Sequence, residues 1–119
     1  MQQRKALDGV AIQNAIEKRD GHALAEFYAE NAVLKIIDRN NPPSRPRELA
    51  GKAVISEFWN HVCGREMEHK VDAVVTEGSR ISLTETCAYP DGTRVFCAAM
   101  IDVEGGKIAR QTVIQAWDE

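Results

Sequence analysis

The 119 residues carry 15 lysines and arginines against 18 aspartates and glutamates, with 44% hydrophobic and 28% charged residues: the composition of one globular domain over 1–119, too short for two independent cores. A formal charge of −3 supplies no clustered basic face for a phosphate backbone, which excludes nucleic acid as the expected partner. Apolar stretches such as 32–37 are too short to span a bilayer, and the opening Met1-Gln2-Gln3-Arg4-Lys5 lacks the apolar run of a secretory signal, so no membrane association and a cytoplasmic location are expected.

From Gln2 to Arg19, Leu7, Val10, Ala11, Ala15 and Ile16 recur mostly at spacings of three and four, the period of an amphipathic helix. Asp20-Gly21 then offers a residue tolerant of positive φ and an N-cap, and Leu24, Phe27 and Tyr28 mark the inner stripe of a short second helix. Ala32 to Ile37, rich in aliphatic and β-branched residues, reads as a short first strand. Arg39 to Ala50 holds Pro42, Pro43, Pro46 and three arginines and reads as an irregular surface loop. In Gly51 to Cys63 the apolar residues Val54, Ile55, Phe58, Trp59 and Val62 predict a third helix, stopped by Gly64.

Beyond Gly64 the period changes to two. Met67, His69, Val71, Ala73 and Val75 alternate against charged residues. Ile81, Leu83, Glu85, Cys87 and Tyr89 then line one side of the next strand, and Pro90-Asp91-Gly92 turns the chain. With those three residues as the loop, Cys97 falls opposite Glu85 and Ala99 opposite Leu83. Gly105-Gly106 leads into a last strand from Lys107 to Trp117. The expected fold is α+β, with three helices packed on a mostly antiparallel sheet.

Asp20-Gly21-His22-Ala23-Leu24 before Phe27-Tyr28-Ala29-Glu30-Asn31-Ala32-Val33-Leu34, then Gly51 to Trp59, then Gly105-Gly106-Lys107-Ile108, resemble in order and spacing the nuclear transport factor 2-like superfamily, in its SnoaL-like and ketosteroid-isomerase-like branch. The resemblance covers nearly the whole chain. It implies a curved mixed sheet closed by the helices into a cone around an internal pocket, the cystatin-like arrangement, often in a homodimer. Activities in such a superfamily vary, so the site must decide. The resemblance places the ketosteroid isomerase tyrosine at Gln13 and its proton-donating aspartate near Ala99, so both acid groups are missing. That family's base falls near Ile36, with Asp38 two residues further on the same face, and Trp59 stands where an auxiliary tyrosine would, an indole that only donates.

Glu85 is the anomaly of the sequence, because Leu83 and Cys87 at two-residue spacing put it on the apolar side of a central strand. Burial there is costly unless the carboxylate is paired or protonated, which is how a general acid or base near neutral pH is made; a bulge or a neighbouring arginine would remove the anomaly. His69 on the preceding strand is a second proton carrier or a structural hydrogen-bonding residue. Asp38 is a third candidate, with a strand-end turn as its other reading.

Gln111, Gln115 and Trp117 alternate on the last strand and line the pocket by the family pattern; a two-residue Gly105-Gly106 turn would swap them to the outside. Tyr28, Trp59, Cys87, Cys97 and Ala99 complete the expected wall, and Arg39, Arg45 and Arg47 either attract an anion to a lid or solvate a loop. Cys63, Cys87 and Cys97 have no redox or zinc spacing and read as reduced thiols. His61, Cys63 and His69 lack a fourth ligand, so no metal and no cofactor is expected.

Two functions follow from these residues. One is a cofactor-free isomerase-, cyclase- or hydrolase-type enzyme moving protons on a small apolar or carbonyl-containing molecule, with Glu85, His69 and Asp38 as the catalytic candidates. The other is a noncatalytic ligand-binding or dimerisation module. The outer sheet face, with Phe96, Ala98 and Met100, is expected to form a homodimer.

Overall fold

The computed structural model describes residues 7–118, and the first turns of the helix expected from Gln2 lie partly outside them. Helix α1 spans Gly9–Glu17 and begins at Asp8, whose side chain accepts the Ala11 N–H. Its buried stripe is Ile12, Ala15 and Ile16. Val10, expected inside, is 56% exposed. Helix α2, Gly21–Glu26, is capped in the same way by Asp20, but the positive φ at this corner belongs to Arg19 (φ 53), whose guanidinium donates to the Arg65 and Met67 carbonyls. Tyr28 is not helical: it opens strand β1, Tyr28–Ile37, four residues earlier than the composition suggests.

Strand β2, Arg47–Ala50, corrects the reading of 39–50 as loop throughout. The prolines end before it, so its backbone is free to pair antiparallel with β1 from Val33↔Ala50 to Ile36↔Arg47. Helix α3, Lys52–Cys63, buries Ile55 and Trp59. Strands β3 (Glu68–Glu77), β4 (Arg80–Ala88), β5 (Arg94–Glu104) and β6 (Lys107–Trp117) follow.

The six strands form one mixed sheet in the order β2-β1-β6-β5-β4-β3, antiparallel throughout except where β1 runs parallel to β6. The predicted β4–β5 register holds, with Glu85↔Cys97 and Leu83↔Ala99. The helices cover one face of the sheet, and the core between them holds Leu24, Leu34, Ile55, Ile81, Ile101 and Ile108. This is the α+β, cystatin-like arrangement.

Two bulges decide which side chains face that core. In β3 the pairing steps from Val71↔Glu85 to Ala73↔Thr84, so Asp72 is the extra residue. Met67, His69 and Val71 stay inside, but Ala73 and Val75 are turned out and Val74 packs inward in their place. Between β5 and β6 the turn does have two residues, Gly105 and Gly106 at φ 60 and 78, which alone would put Gln111 outside. The pairing then steps from Val103↔Ile108 to Asp102↔Arg110, and the extra residue Ala109 restores Gln111 to the inner face opposite Ile101.

Candidate functional site

The helices and the inner sheet face enclose a cavity of about 290 Å³, at the low end for small-molecule sites. At the far end of the strands it is closed by apolar side chains such as Ile12, Ile16, Leu24 and Ile108. Near the C-terminal ends of β1, β4 and β6 it opens between Asp38, Arg39, Arg65, Tyr89 and Trp117.

Register builds the polar wall. Glu85, Cys97 and Gln115 form one row across β4, β5 and β6, and His69, Cys87, Val95 and Trp117 form the next. The diagonal between the rows brings His69 Nδ1 within 3.4 Å of Glu85 Oε2. Cys87 Sγ lies 3.2 Å from the same Nδ1 and 3.6 Å from the same carboxylate oxygen. The His69 and Glu85 side chains are only 4% and 10% exposed. His69 Nε2 is buried without a partner among the described residues.

Burial draws the His69 pKa down, but its bonds to Cys87 and Glu85 outweigh that and raise it from 6.5 to about 9. Hydrogen bonding to Cys97 and burial push the Cys87 thiol well up, so Cys87 is a neutral thiol at pH 7 and no nucleophile. Glu85 and Cys87 thus both favour the protonated imidazole, and Glu85 is the carboxylate beside it. The neighbour of Glu85 is this imidazole rather than an arginine.

A second network crosses the cavity. The Trp59 indole donates to the Tyr28 hydroxyl at 3.0 Å, and that hydroxyl donates to Gln111 Oε1. Burial pushes the Tyr28 phenol well up against the effect of Trp59, so it stays a donor. With its oxygen engaged, the Gln111 carboxamide has an NH2 left to offer a ligand. Gln115 is set likewise, its Oε1 accepting from Trp117 Nε1 at 3.2 Å.

Of the residues singled out in the sequence, Tyr28, Trp59, His69, Glu85, Cys87, Cys97, Ala99, Gln111, Gln115 and Trp117 line the cavity, as does Asp38. Gln13 does not: it is half-buried on α1, one step off the stripe that Ile12 and Ile16 present. Asp38 sits at the mouth, but its Oδ1 accepts from the Asn40 N–H and the Asn41 side chain, the turn role expected of a strand-end aspartate. Ala99 contributes only a small apolar surface between Leu83 and Val113. Arg45 is not part of the lining, whereas Arg65 and Tyr89 are. Tyr89 was visible as the end of the inward row of β4, but Arg65, just past α3, had no signal beyond its charge.

Metal-ligand atoms come together not at His61 and Cys63 but at His69, Glu85 and Cys87, whose donors lie within 4.8 Å of one another. Imidazole, carboxylate and thiol are all zinc-binding types. Here the three are hydrogen-bonded to one another. No helix among the described residues is long and apolar enough to cross a membrane.

A family model for the SnoaL-like domain matches residues 11–111. Comparison with curated proteins finds no match. Among solved structures, an NTF2-like protein of unknown function from Mesorhizobium loti is 18% identical, with TM-score 0.78 over 88% of this chain and 84% of that one. A protein from Kribbella flavida DSM 17836, provisionally described as a ketosteroid isomerase, is 17% identical, with TM-score 0.73 over 92% and 74% of the two chains. A loop-truncation variant of IdmH is 19% identical, with TM-score 0.65 over 88% and 87%. At these identities the likeness is one of fold.

Proposed function

The chain belongs to the SnoaL-like domain family, and on that premise we propose that its cavity binds a small organic molecule and moves a proton on it, without a cofactor. The observation that carries this reading is the buried His69–Glu85 pair in the wall of the cavity. An ion pair is retained in such a place when its charge has a use, since well-packed apolar residues would serve stability as well.

In this reading Glu85 is the base. Its Oε2 is occupied by His69 and Cys87, and Oε1 takes the proton from a carbon next to a carbonyl. His69, as imidazolium, keeps the carboxylate charged in its dry wall and returns a proton to the product. The NH2 groups of Gln111 and Gln115 hold the carbonyl oxygen as charge develops on it. They take the part of the acid pair that Gln13 and Ala99 do not supply. Gln115 lies in the same row as Glu85 with one strand between, about 10 Å away at the backbone, the span of a small ring system.

The experiment is hydrogen exchange. A panel of cyclic and aryl ketones incubated with the protein in D2O is expected to lose α-proton signal in the NMR spectrum, and Glu85→Gln to abolish that loss. Absence of exchange across a panel that binds the protein would leave the second reading, a noncatalytic ligand-binding module. That reading has in its favour that Glu85, Cys87 and the Nδ1 of His69 already engage one another. In either case the outer sheet face supports a homodimer, since it presents Val75, Phe96, Met100 and Ile114, each 48–61% exposed, with Ser82 and Ala98 between them.

A further inference from the structure

We propose that the ligand is an amphiphilic organic anion, its apolar body in the cavity and its carboxylate or phosphate at the mouth, received by Arg39, Arg65 and Arg47. The inference rests on the cavity being a binding site and adds the substrate class. The three arginines line the cavity and are themselves exposed to solvent. None of them is ion-paired among the described residues, which is also so of Arg19, Arg45 and Arg94 but not of Arg80 and Arg110.

Each is held by an aromatic group instead. The Arg39 guanidinium lies 4.8 Å from the centre of the Trp117 ring and that of Arg47 5.5 Å from the Phe58 ring. Arg65 Nη1 donates to the Tyr89 hydroxyl at 3.3 Å, and Tyr89 stacks on Trp117 at 6.0 Å. Arg39, Trp117, Tyr89 and Arg65 thus form a continuous row along one side of the mouth. A ring contact leaves the N–H groups of Arg39 and Arg47 free, and Arg65 keeps those beyond the one given to Tyr89, the donors that match a carboxylate or phosphate. A chain with a net charge of −3 thus brings three arginines without an ion pair among the described residues to the lining of this cavity. Asp38, the acid that lines the cavity beside Arg39, has an oxygen engaged in its own turn.

Calorimetric titration of the full chain with octanoate, octanamide and octyl phosphate tests this. Octanoate is expected to bind about ten-fold or more tightly than its neutral isostere octanamide at low salt, the gain of charge-assisted bonds, and to lose most of that margin at high salt. In the double variant Arg39→Gln/Arg65→Gln the margin is expected to fall to about two-fold, while octanamide binds as before and so reports an intact cavity. Octyl phosphate separates the two headgroups: tighter binding than octanoate assigns a phosphate ester, weaker binding a carboxylate. Equal affinity for octanoate and octanamide in the unaltered protein overturns this inference and leaves the cavity reading in place, as does a margin that survives loss of Arg39, Arg47 and Arg65 together. If none of the three molecules binds, both readings fall.

Discussion

His69 Nδ1 and Glu85 Oε2 meet at 3.4 Å across the diagonal of two strands, with Cys87 closing the triangle on the same nitrogen. The bonds of His69 to Cys87 and to Glu85 together outweigh its burial and raise its pKa to about 9. Glu85→Gln keeps the shape and removes the charge. Burial is then opposed by Cys87 alone, and the His69 midpoint in an NMR titration is expected to fall from about 9 toward the ordinary 6.5. A midpoint that stays near 9 in the variant would show that the proton is held by something other than Glu85.

The same shift makes stability depend on pH. A histidine whose folded pKa is raised binds its proton more tightly when folded, so its contribution is complete below 6.5 and disappears as pH rises through about 9. The difference of the two pKa values corresponds to a loss on the order of 2 to 3 kcal/mol between pH 6 and pH 10. Urea unfolding at the two pH values measures it. His69→Gln is expected to be less stable than the parent at pH 6 and to lack this decline; a decline of the same size in the variant would assign it to other groups.

Much of this wall could be read from the sequence because period two survives where it matters. Ile81 to Tyr89 keep strict alternation, and the three-residue turn at Pro90 fixed the register that sets Cys97 against Glu85. The bulges at Asp72 and Ala109 could not be read, since an extra residue in one strand is a property of the pairing and not of composition. The Gln residues of β6 face inward because the second bulge offsets the two-residue turn, so the family pattern gave the right face where turn geometry alone gave the wrong one. The link from Trp59 through Tyr28 to Gln111 joins residues 31 and 83 positions apart, beyond any local pattern. Gln13 came from the resemblance and not from the helical period, and it lies one step off the stripe of α1, which runs through Ile12 and Ile16.

Gly9 is fixed by its contact with β3. A Cβ built there would stand 2.2 Å from Val74 Cγ2, while the Gly9 N–H donates to Thr76 Oγ1 at 2.9 Å, so the helix start is pressed on the strand. Val74 cannot turn away, because the bulge at Asp72 has set it inward. Gly9→Ala is expected to cost about 1 to 3 kcal/mol in chemical denaturation. Val74→Ala removes the opposing methyl, and the double variant is expected to be more stable than the sum of the two single changes predicts. Strict additivity would mean that the helix start moves aside without resistance.

The outer face of the sheet carries the last prediction. Phe96 on β5 and Ile114 on β6 are 48% and 53% exposed, and Met100 and Val75 extend the apolar surface across β5 to β3. Side chains of this kind standing together on a flat strand face are costly in water, and a two-fold symmetric contact covers them on both copies at once. Sedimentation at micromolar concentration is therefore expected to give a dimer. Phe96→Lys/Ile114→Lys puts like charges on the same face of each copy and is expected to give a folded monomer whose far-ultraviolet circular dichroism is unchanged. Since the cavity lies on the opposite face of the sheet, octanamide affinity should be the same in the two forms; a monomeric parent protein would instead show that this face is left open.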